Sequence, residues 1–419
     1  MANTVIGADN QHTNYDIVII GGGSAGISVA ASLLRRDADL KIAIIEPSDK
    51  HYYQPAWTLV GGGVFDIKKT ARPTQSVIPE GVAWLHAEAD KLEPDTNQVL
   101  LSNGKTIQYQ QLVVCPGLEL AWENIEGLPE TLGKNGVTSN YHYELAPYTW
   151  ELASSLTQGT AIFTQPPLPI KCAGAPQKAM YLSCDHWLRK GVLSKIKVEF
   201  NCAGGALFSV AAFIPPLMKY IEKYGANLLL NSNLVKVDGE KKLAWFDIKD
   251  AAGNVTRQEK SFDLLHVVPP QRPPRVVRES TLADAAGWCE VDQYTLQHLR
   301  YPNVFSLGDA SSAPCSKTAA AARKQVVIVA ENLISLRNGE SLAASYDGYS
   351  ACPITVEKGK VLLAEFGYGG KLLPSFPLEP TVPHSFSWFL KATVFPWFYW
   401  NCMLKGREWL AKSTPRQPG

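Results

Sequence analysis

The chain has 419 residues, enough for two or three domains and a sizeable core. Its 40 basic and 39 acidic residues leave a formal charge of +1, which excludes a broad cationic face for nucleic acid and an acidic tail. The 8 cysteines are scattered, matching neither a dense disulfide scaffold nor a paired zinc pattern, so no metal is expected and most read as small buried hydrophobes.

Met1–Asn14 is polar and shows neither an apolar core nor an arginine-rich amphipathic run, so no targeting signal is visible. Tyr15–Ile20 reads as a buried strand leading straight into Gly21-Gly22-Gly23-Ser24-Ala25-Gly26 and a helix-like Ile27–Arg36. A second apolar run, Lys41–Ile45, ends in Glu46, 20 residues after Gly26. Gly21, Gly23 and Gly26 let the backbone approach a pyrophosphate at a helix N-terminus opened by Ser24 and Ala25, and Glu46 is placed for a ribose hydroxyl.

Gln111–Gly117 reads as a strand ending in a tight turn at Gly117, where two-domain flavoproteins cross between domains. Far downstream, Tyr301–Asp309 is a short strand ending in Gly308-Asp309: the aspartate can bond a ribityl chain, and the glycine permits close approach. These three segments favour FAD over a mobile nicotinamide. Ser316-Lys317-Thr318 then opens the helical run Ala319–Leu336, so Lys317 adds a full charge to a positive helix end suited to an anionic reduced flavin; a solvated surface lysine is the alternative.

Residues 120–270 read as a second α/β unit, with strands at Gly159–Thr164 and Lys197–Ala203 and helices at Lys178–Lys190 and Leu207–Tyr224. Its first strand meets Gln165-Pro166-Pro167 instead of a glycine-rich loop, and proline cannot supply the N–H donors that wrap a pyrophosphate. Nicotinamide is thereby disfavoured. Cys172 stands in the vacated region beside Lys171 and before Ala173-Gly174-Ala175-Pro176, a setting that leaves its sulfur uncrowded and favours its thiolate.

No uninterrupted apolar run is long enough for a spanning helix. His384–Leu410 nevertheless holds Phe386, Trp388, Phe389, Phe395, Trp397, Phe398, Tyr399, Trp400 and Trp409 among Lys391, Lys405 and Arg407, with Lys412 just beyond. That mixture suits the lipid headgroup boundary, with Pro396 expected to divide it into two short helices, and predicts a monotopic membrane anchor. A homo-oligomer contact or a core helix would use the same aromatics.

Several stretches carry a resemblance: His51–Gly61, Tyr141–Ala146, Ile170–Lys178 around Cys172, Asp284–Trp288, Ser316–Ala321 and Tyr346–Tyr349. Together they resemble the sulfide:quinone oxidoreductases, specifically the type that includes the animal mitochondrial enzyme. The resemblance implies an α/β fold of tandem Rossmann-like domains with a C-terminal amphipathic membrane-binding helical segment. The divisions would be 1–120 for the first FAD-binding part, 121–270 for the second Rossmann-like domain, 271–345 for the second FAD-binding part and 346–419 for the C-terminal region. FAD, held noncovalently, would touch Ser24, Ala25, Glu46, Gln54, Asp309 and Lys317. A redox pair would form from Cys172 and Cys352, the latter in Tyr346–Pro353; no third redox cysteine is matched, and neither Cys115 nor Cys315 is given that role. Phe366 and Tyr368 are expected near the quinone.

On this reading sulfide attacks a Cys172–Cys352 disulfide, or a bridge with an extra sulfur, leaving a persulfide on Cys352 and a thiolate on Cys172 beside the flavin. The sulfur passes to sulfite, glutathione, cyanide or further sulfide, and two electrons reach a membrane quinone. The location would be the bacterial cytoplasmic membrane or the mitochondrial inner membrane. An NADH:quinone dehydrogenase of the same architecture and a non-enzymatic membrane-docked flavoprotein are the competing readings.

Overall fold

Asn14–Ile20 is apolar on both faces because it is covered on both: Ile17, Val18 and Ile19 are fully buried in a strand flanked by parallel neighbours, Ile42–Ile45 and Thr106–Val114. The computed structural model describes residues 13–411 and 413–415. The absence of a targeting signal inferred for Met1–Asn14 lies, through residue 12, outside the described residues, as does Lys412. Ala83–Leu85 extends the sheet beyond Ile42–Ile45, and a hairpin of Ala89–Glu93 and Gln98–Leu101 joins it antiparallel at the other side. Val304–Ser306 returns from far downstream to pair parallel with the end of Thr106–Val114. Two distant segments thus meet in one sheet, with helices Ser24–Leu34 and Ala319–Arg337 sharing its core.

A second, wholly parallel sheet runs in the order Val137–Thr138, Leu264–His266, Gly159–Gln165, Ile196–Cys202, Asn227–Leu230. A three-stranded antiparallel sheet, Ser232–Asp238, Leu243–Lys249 and Val255–Ser261, is inserted before its Leu264–His266 strand. The architecture is α/β and Rossmann-like, built twice.

Helix Ala175–Arg189 is packed between this sheet and an antiparallel pair, Ser350–Glu357 and Lys360–Phe366. Ile354, Val356 and Leu362 join Phe163, Met180 and Phe200 in one core, which carries Cys352 to the start of the helix. The helix expected over Leu207–Tyr224 begins at Ile214, because Pro215 and Pro216 suit only a first turn; a short 3₁₀ turn, Ala211–Phe213, precedes it.

The C-terminal segment differs from its sequence reading. Residues 385–401 form one continuous helical run, not two helices parted at Pro396. Leu390–Val394 widens into a π turn, the Phe395 N–H bonding the Leu390 carbonyl, and Pro396 falls in the first turn of the succeeding α segment, where its missing N–H is tolerated. Among the described residues no helix is long and apolar enough to cross a membrane.

Candidate active site

The loop between Gly159–Gln165 and Ala175–Arg189 presents Cys172 in a left-handed conformation, φ +49°. It is pinned from three sides. The Cys172 N–H bonds the Lys317 carbonyl at 2.8 Å, the Lys171 N–H bonds Gln271 Oε1 at 2.7 Å, and the buried Tyr141 hydroxyl donates to the Lys171 and Cys172 carbonyls at 3.0 and 3.3 Å. The first of these ties the cysteine loop of the second sheet to the helix entrance carried by the first.

The two cysteines proposed as a pair, 180 residues apart in sequence, stand with their sulfurs 3.9 Å apart, both as free thiols. Gly174 is what allows this approach: a Cβ there would lie 2.5 Å from Cys352 Sγ. Lys178, one turn into the helix and only 1% exposed, aims its ammonium at Cys172 Sγ, 3.2 Å away. A hydrogen bond from Cys352, with help from Lys178 and Lys391 and against burial, holds Cys172 well below the ordinary thiol range. The same hydrogen bond pushes Cys352 in the opposite direction, and burial adds to it. Burial acts to lower Lys178, but the two sulfurs outweigh it and the net shift is upward, keeping the ammonium charged.

Lys391 reaches the pair from the C-terminal helix. It is 3% exposed, donates to the Pro55 carbonyl at 2.7 Å, and burial together with Lys178 pulls it down to about 7. Grouped with the surface basic residues from sequence, it is an interior residue. Burial raises the thiol pKa of the buried Cys115 and of the half-buried Cys315; Cys115 Sγ lies 3.8 Å from the Gly21 carbonyl and Cys315 Sγ accepts from Gln325.

The glycine-rich turn fits a dinucleotide. Gly21 has φ +100° and a Cβ there would sit 2.6 Å from the Cys115 carbonyl oxygen; at Gly26 it would sit 1.9 Å from the Gly21 carbonyl oxygen. At Gly23 and Gly117 a Cβ would meet nothing within 4 Å, so open space fronts both turns. Helix Ser24–Leu34 starts with no side-chain cap and no acid in its first turn, leaving its leading N–H groups for an anion. Glu46 is held at the strand end by the N–H groups of Gly22 and Ser48, at 2.8 and 2.7 Å, with lone pairs to spare for a hydroxyl. Gly308 lies at φ +71° with its N–H on Gln325, and burial raises the adjacent Asp309 despite Lys317 and Lys171.

Gln54 accepts from the Lys171 ammonium at 2.6 Å. Lys317 folds back, donating to the carbonyls of Asp309 and Ser311 at 2.7 and 3.0 Å with its ammonium over the Trp288 ring. Phe366 packs against Phe208 and Phe213 and lines a cavity of about 570 Å³ whose wall includes Ala173, Val210, Cys315 and Lys317. Tyr368 instead lies against Gly348, Tyr294 and Tyr346 and donates to the Gln293 carbonyl.

His51, given no role from sequence, and Tyr399 join the C-terminal helix to the glycine-rich turn; Tyr399 and Trp400, counted from sequence among the membrane-boundary aromatics, are instead interior, 2% and 5% exposed. His51 Nδ1 is 3.0 Å from the Gly22 carbonyl, which can only accept, so Nδ1 carries the proton and Nε2 accepts the Tyr399 hydroxyl at 2.6 Å. Tyr399 in turn accepts from Ser24 Oγ at 2.7 Å. Lys178 and Gly174 lie inside the Ile170–Lys178 stretch, where one helical turn from Cys172 was the available signal; Lys391 and Tyr399 had none, because only tertiary packing brings them here.

A doubled Rossmann-like fold with a close cysteine pair and an uncapped glycine-rich turn defines an oxidoreductase of the flavin and disulfide type. Residues 15–151 match the pyridine nucleotide-disulphide oxidoreductase model. The chain is 46% identical over 406 residues to a mitochondrial sulfide:quinone oxidoreductase of Dictyostelium discoideum, covering 96% of this chain and 88% of that one. It is 38% identical to the Mus musculus mitochondrial protein of the same name, covering 94% and 87%. The crystal structure of the Aquifex aeolicus sulfide:quinone oxidoreductase superposes with a TM-score of 0.76 at 19% identity, over 94% of this chain and 92% of that one. The chain belongs to the sulfide:quinone oxidoreductase family.

Proposed function

We propose that the protein oxidises sulfide at Cys172 and Cys352 and delivers two electrons by way of FAD to a membrane quinone. The observation that carries this reading is the Lys178 ammonium 3.2 Å from Cys172 Sγ, with Cys352 Sγ 3.9 Å from the same sulfur. In a disulfide the sulfur that leaves more readily is the one with the lower thiol pKa. Hydrosulfide therefore attacks the Cys352 sulfur: a new S–S bond forms there, the Cys172–Cys352 bond breaks, and its electron pair departs on Cys172 as a thiolate. Lys178 stabilises that thiolate and Lys391 adds a second positive charge while protonated.

The residues proposed to hold FAD are Gly21, Gly23, Ser24, Ala25 and Gly26 for the pyrophosphate, Glu46 for the ribose, and Gly117, Gly308, Asp309, Gln54 and Lys317 along the remainder. When bound, FAD supplies a two-electron acceptor for the thiolate and a donor for quinone. The outer sulfur of the Cys352 persulfide goes to a small nucleophile such as sulfite, glutathione, cyanide or sulfide; the two thiolates then lose two electrons and re-form the disulfide. Phe366, in the wall of the cavity beside Ala173, is our candidate for the quinone ring, with Tyr368 supporting its strand end. The exposed aromatics of the C-terminal helix support monotopic attachment.

NADH is disfavoured as donor because Pro166 and Pro167 occupy the turn after the strand, and Pro176 the first turn of the succeeding helix, where a second pyrophosphate would need N–H groups. Anaerobic mixing tests both points. Sulfide should bleach the flavin absorbance and NADH should not, and Cys172→Ser or Cys352→Ser should each abolish the sulfide response; ordinary turnover in either variant would sink the mechanism.

A further inference from the structure

The C-terminal segment leaves a polar site as well as an apolar one. Phe386, Phe389 and Trp397 are 47%, 52% and 55% exposed, and with the exposed Thr393 they follow a three-four-four spacing along one face of the helical run. Past its end the chain turns at Gly406, φ +66°, where a Cβ would lie 2.6 Å from the Ala31 carbonyl, so this turn is seated directly on helix Ser24–Leu34. Glu408 fastens it there, accepting from Ser32 Oγ at 2.5 Å and from Arg36, which also pairs with Glu331.

Between the turn and the helix end lies a second cavity of about 570 Å³, lined by Arg35, Arg36, Arg407, Glu408, Trp397 and Trp409. Arg36 and Glu408 neutralise one another. Arg35 and Arg407 are exposed and have no acidic partner among the described residues, so the cavity keeps two uncompensated guanidinium groups. Trp397 and Trp409, the latter 69% exposed, flank them. A guanidinium pair binds phosphate oxygens in bidentate fashion, and tryptophan favours the headgroup level of a bilayer.

Resting on the monotopic reading, we infer that Arg35 and Arg407 form a binding site for the phosphate of an anionic phospholipid. The headgroup enters the cavity while Phe386, Phe389 and Trp397 enter the acyl boundary. Charge complementarity commits the surface to an anionic headgroup, and the same helix holds Lys391 against the redox cysteines on its inner side.

Flotation of the flavin-loaded protein with phosphatidylcholine vesicles, and with the same vesicles containing phosphatidylglycerol, tests this. Binding should be stronger to the anionic vesicles, and Arg35→Gln/Arg407→Gln should lose roughly 30-fold of that affinity, about 5-fold per arginine, while keeping phosphatidylcholine binding and sulfide-dependent bleaching. Arg35→Lys/Arg407→Lys keeps the charge and should recover part of the loss. Equal binding of the glutamine variant and the unaltered protein to anionic vesicles would overturn the lipid site and leave membrane attachment standing. Failure of the unaltered protein to bind either vesicle would overturn the attachment itself, and the site with it.

Discussion

At Cys172 opposing influences meet on one sulfur. The Cys352 hydrogen bond and the ammonium groups of Lys178 and Lys391 favour the thiolate, burial opposes it, and the net shift is downward. A charge-assisted hydrogen bond contributes about 1.5–3 kcal/mol, so its removal should slow a step that depends on it by roughly 10- to 100-fold. Lys178→Met is therefore expected to slow sulfide-dependent flavin reduction by that factor and to move the acid limb of its pH profile to higher pH, because Cys172 becomes harder to ionise. Lys178→Arg should restore part of the rate. Stopped-flow absorbance across pH measures both, and a Met variant with an unmoved pH limb would assign Lys178 to packing alone. Cys172 was legible as a candidate from its place after Gly159–Gln165 and from the small residues that follow it. The ammonium 3.2 Å from its sulfur was not, since a lysine six positions onward reads equally well as solvated surface until residues 175–185 of the helix are seen buried.

The C-terminal helix is tied to both halves of the site. Its inner side supplies Lys391 to the cysteines and Tyr399 to Ser24 and His51, which fixes it against the nucleotide turn. Burial lowers His51 to about 4 from the ordinary 6.5. Because the folded value is the lower one, the unfolded chain binds the proton first as pH falls, so this contribution to stability is complete above pH 6.5 and is lost down to about pH 4. Protonated His51 also can no longer accept the Tyr399 hydroxyl. Thermal melts should show Tm falling across that window, less steeply in His51→Gln; part of the slope should persist, because His266 is lowered by burial to about 3 and acts in the same sense. Identical slopes would place the acid sensitivity elsewhere. The sequence showed an aromatic, basic segment with a proline and suggested two helices. Proline chemistry allowed that reading, but Pro396 falls in the first turn after the π segment, where its missing N–H is tolerated, and Lys391 on that segment is bonded to the Pro55 carbonyl of the first domain.

Over the molecule, the two Rossmann-like sheets have taken separate roles. One carries the uncapped glycine turn after its first strand, and the other carries the cysteine loop in the corresponding place. This division was readable because glycine and proline impose local backbone rules that survive in any tertiary context. Contacts between the two halves were not readable, as with the Lys317 carbonyl and Gln54 holding the cysteine loop, since residue type and local pattern do not encode them. The cavity lined by Phe366 lies at this junction. Phe366→Ala should raise the KM for quinone about 10-fold, with the single-turnover rate of flavin reduction by sulfide unchanged; a rise in the KM for sulfite or glutathione instead would make the cavity the sulfur acceptor's. The central claim is that Cys352 takes the sulfur and Cys172 leaves. Oxidised protein mixed anaerobically with one equivalent of sulfide, quenched by alkylation and digested for mass spectrometry, tests it most directly. The extra sulfur should be found on the peptide containing Cys352, with Cys172 alkylated as a simple thiol; an extra sulfur on Cys172 would contradict the account.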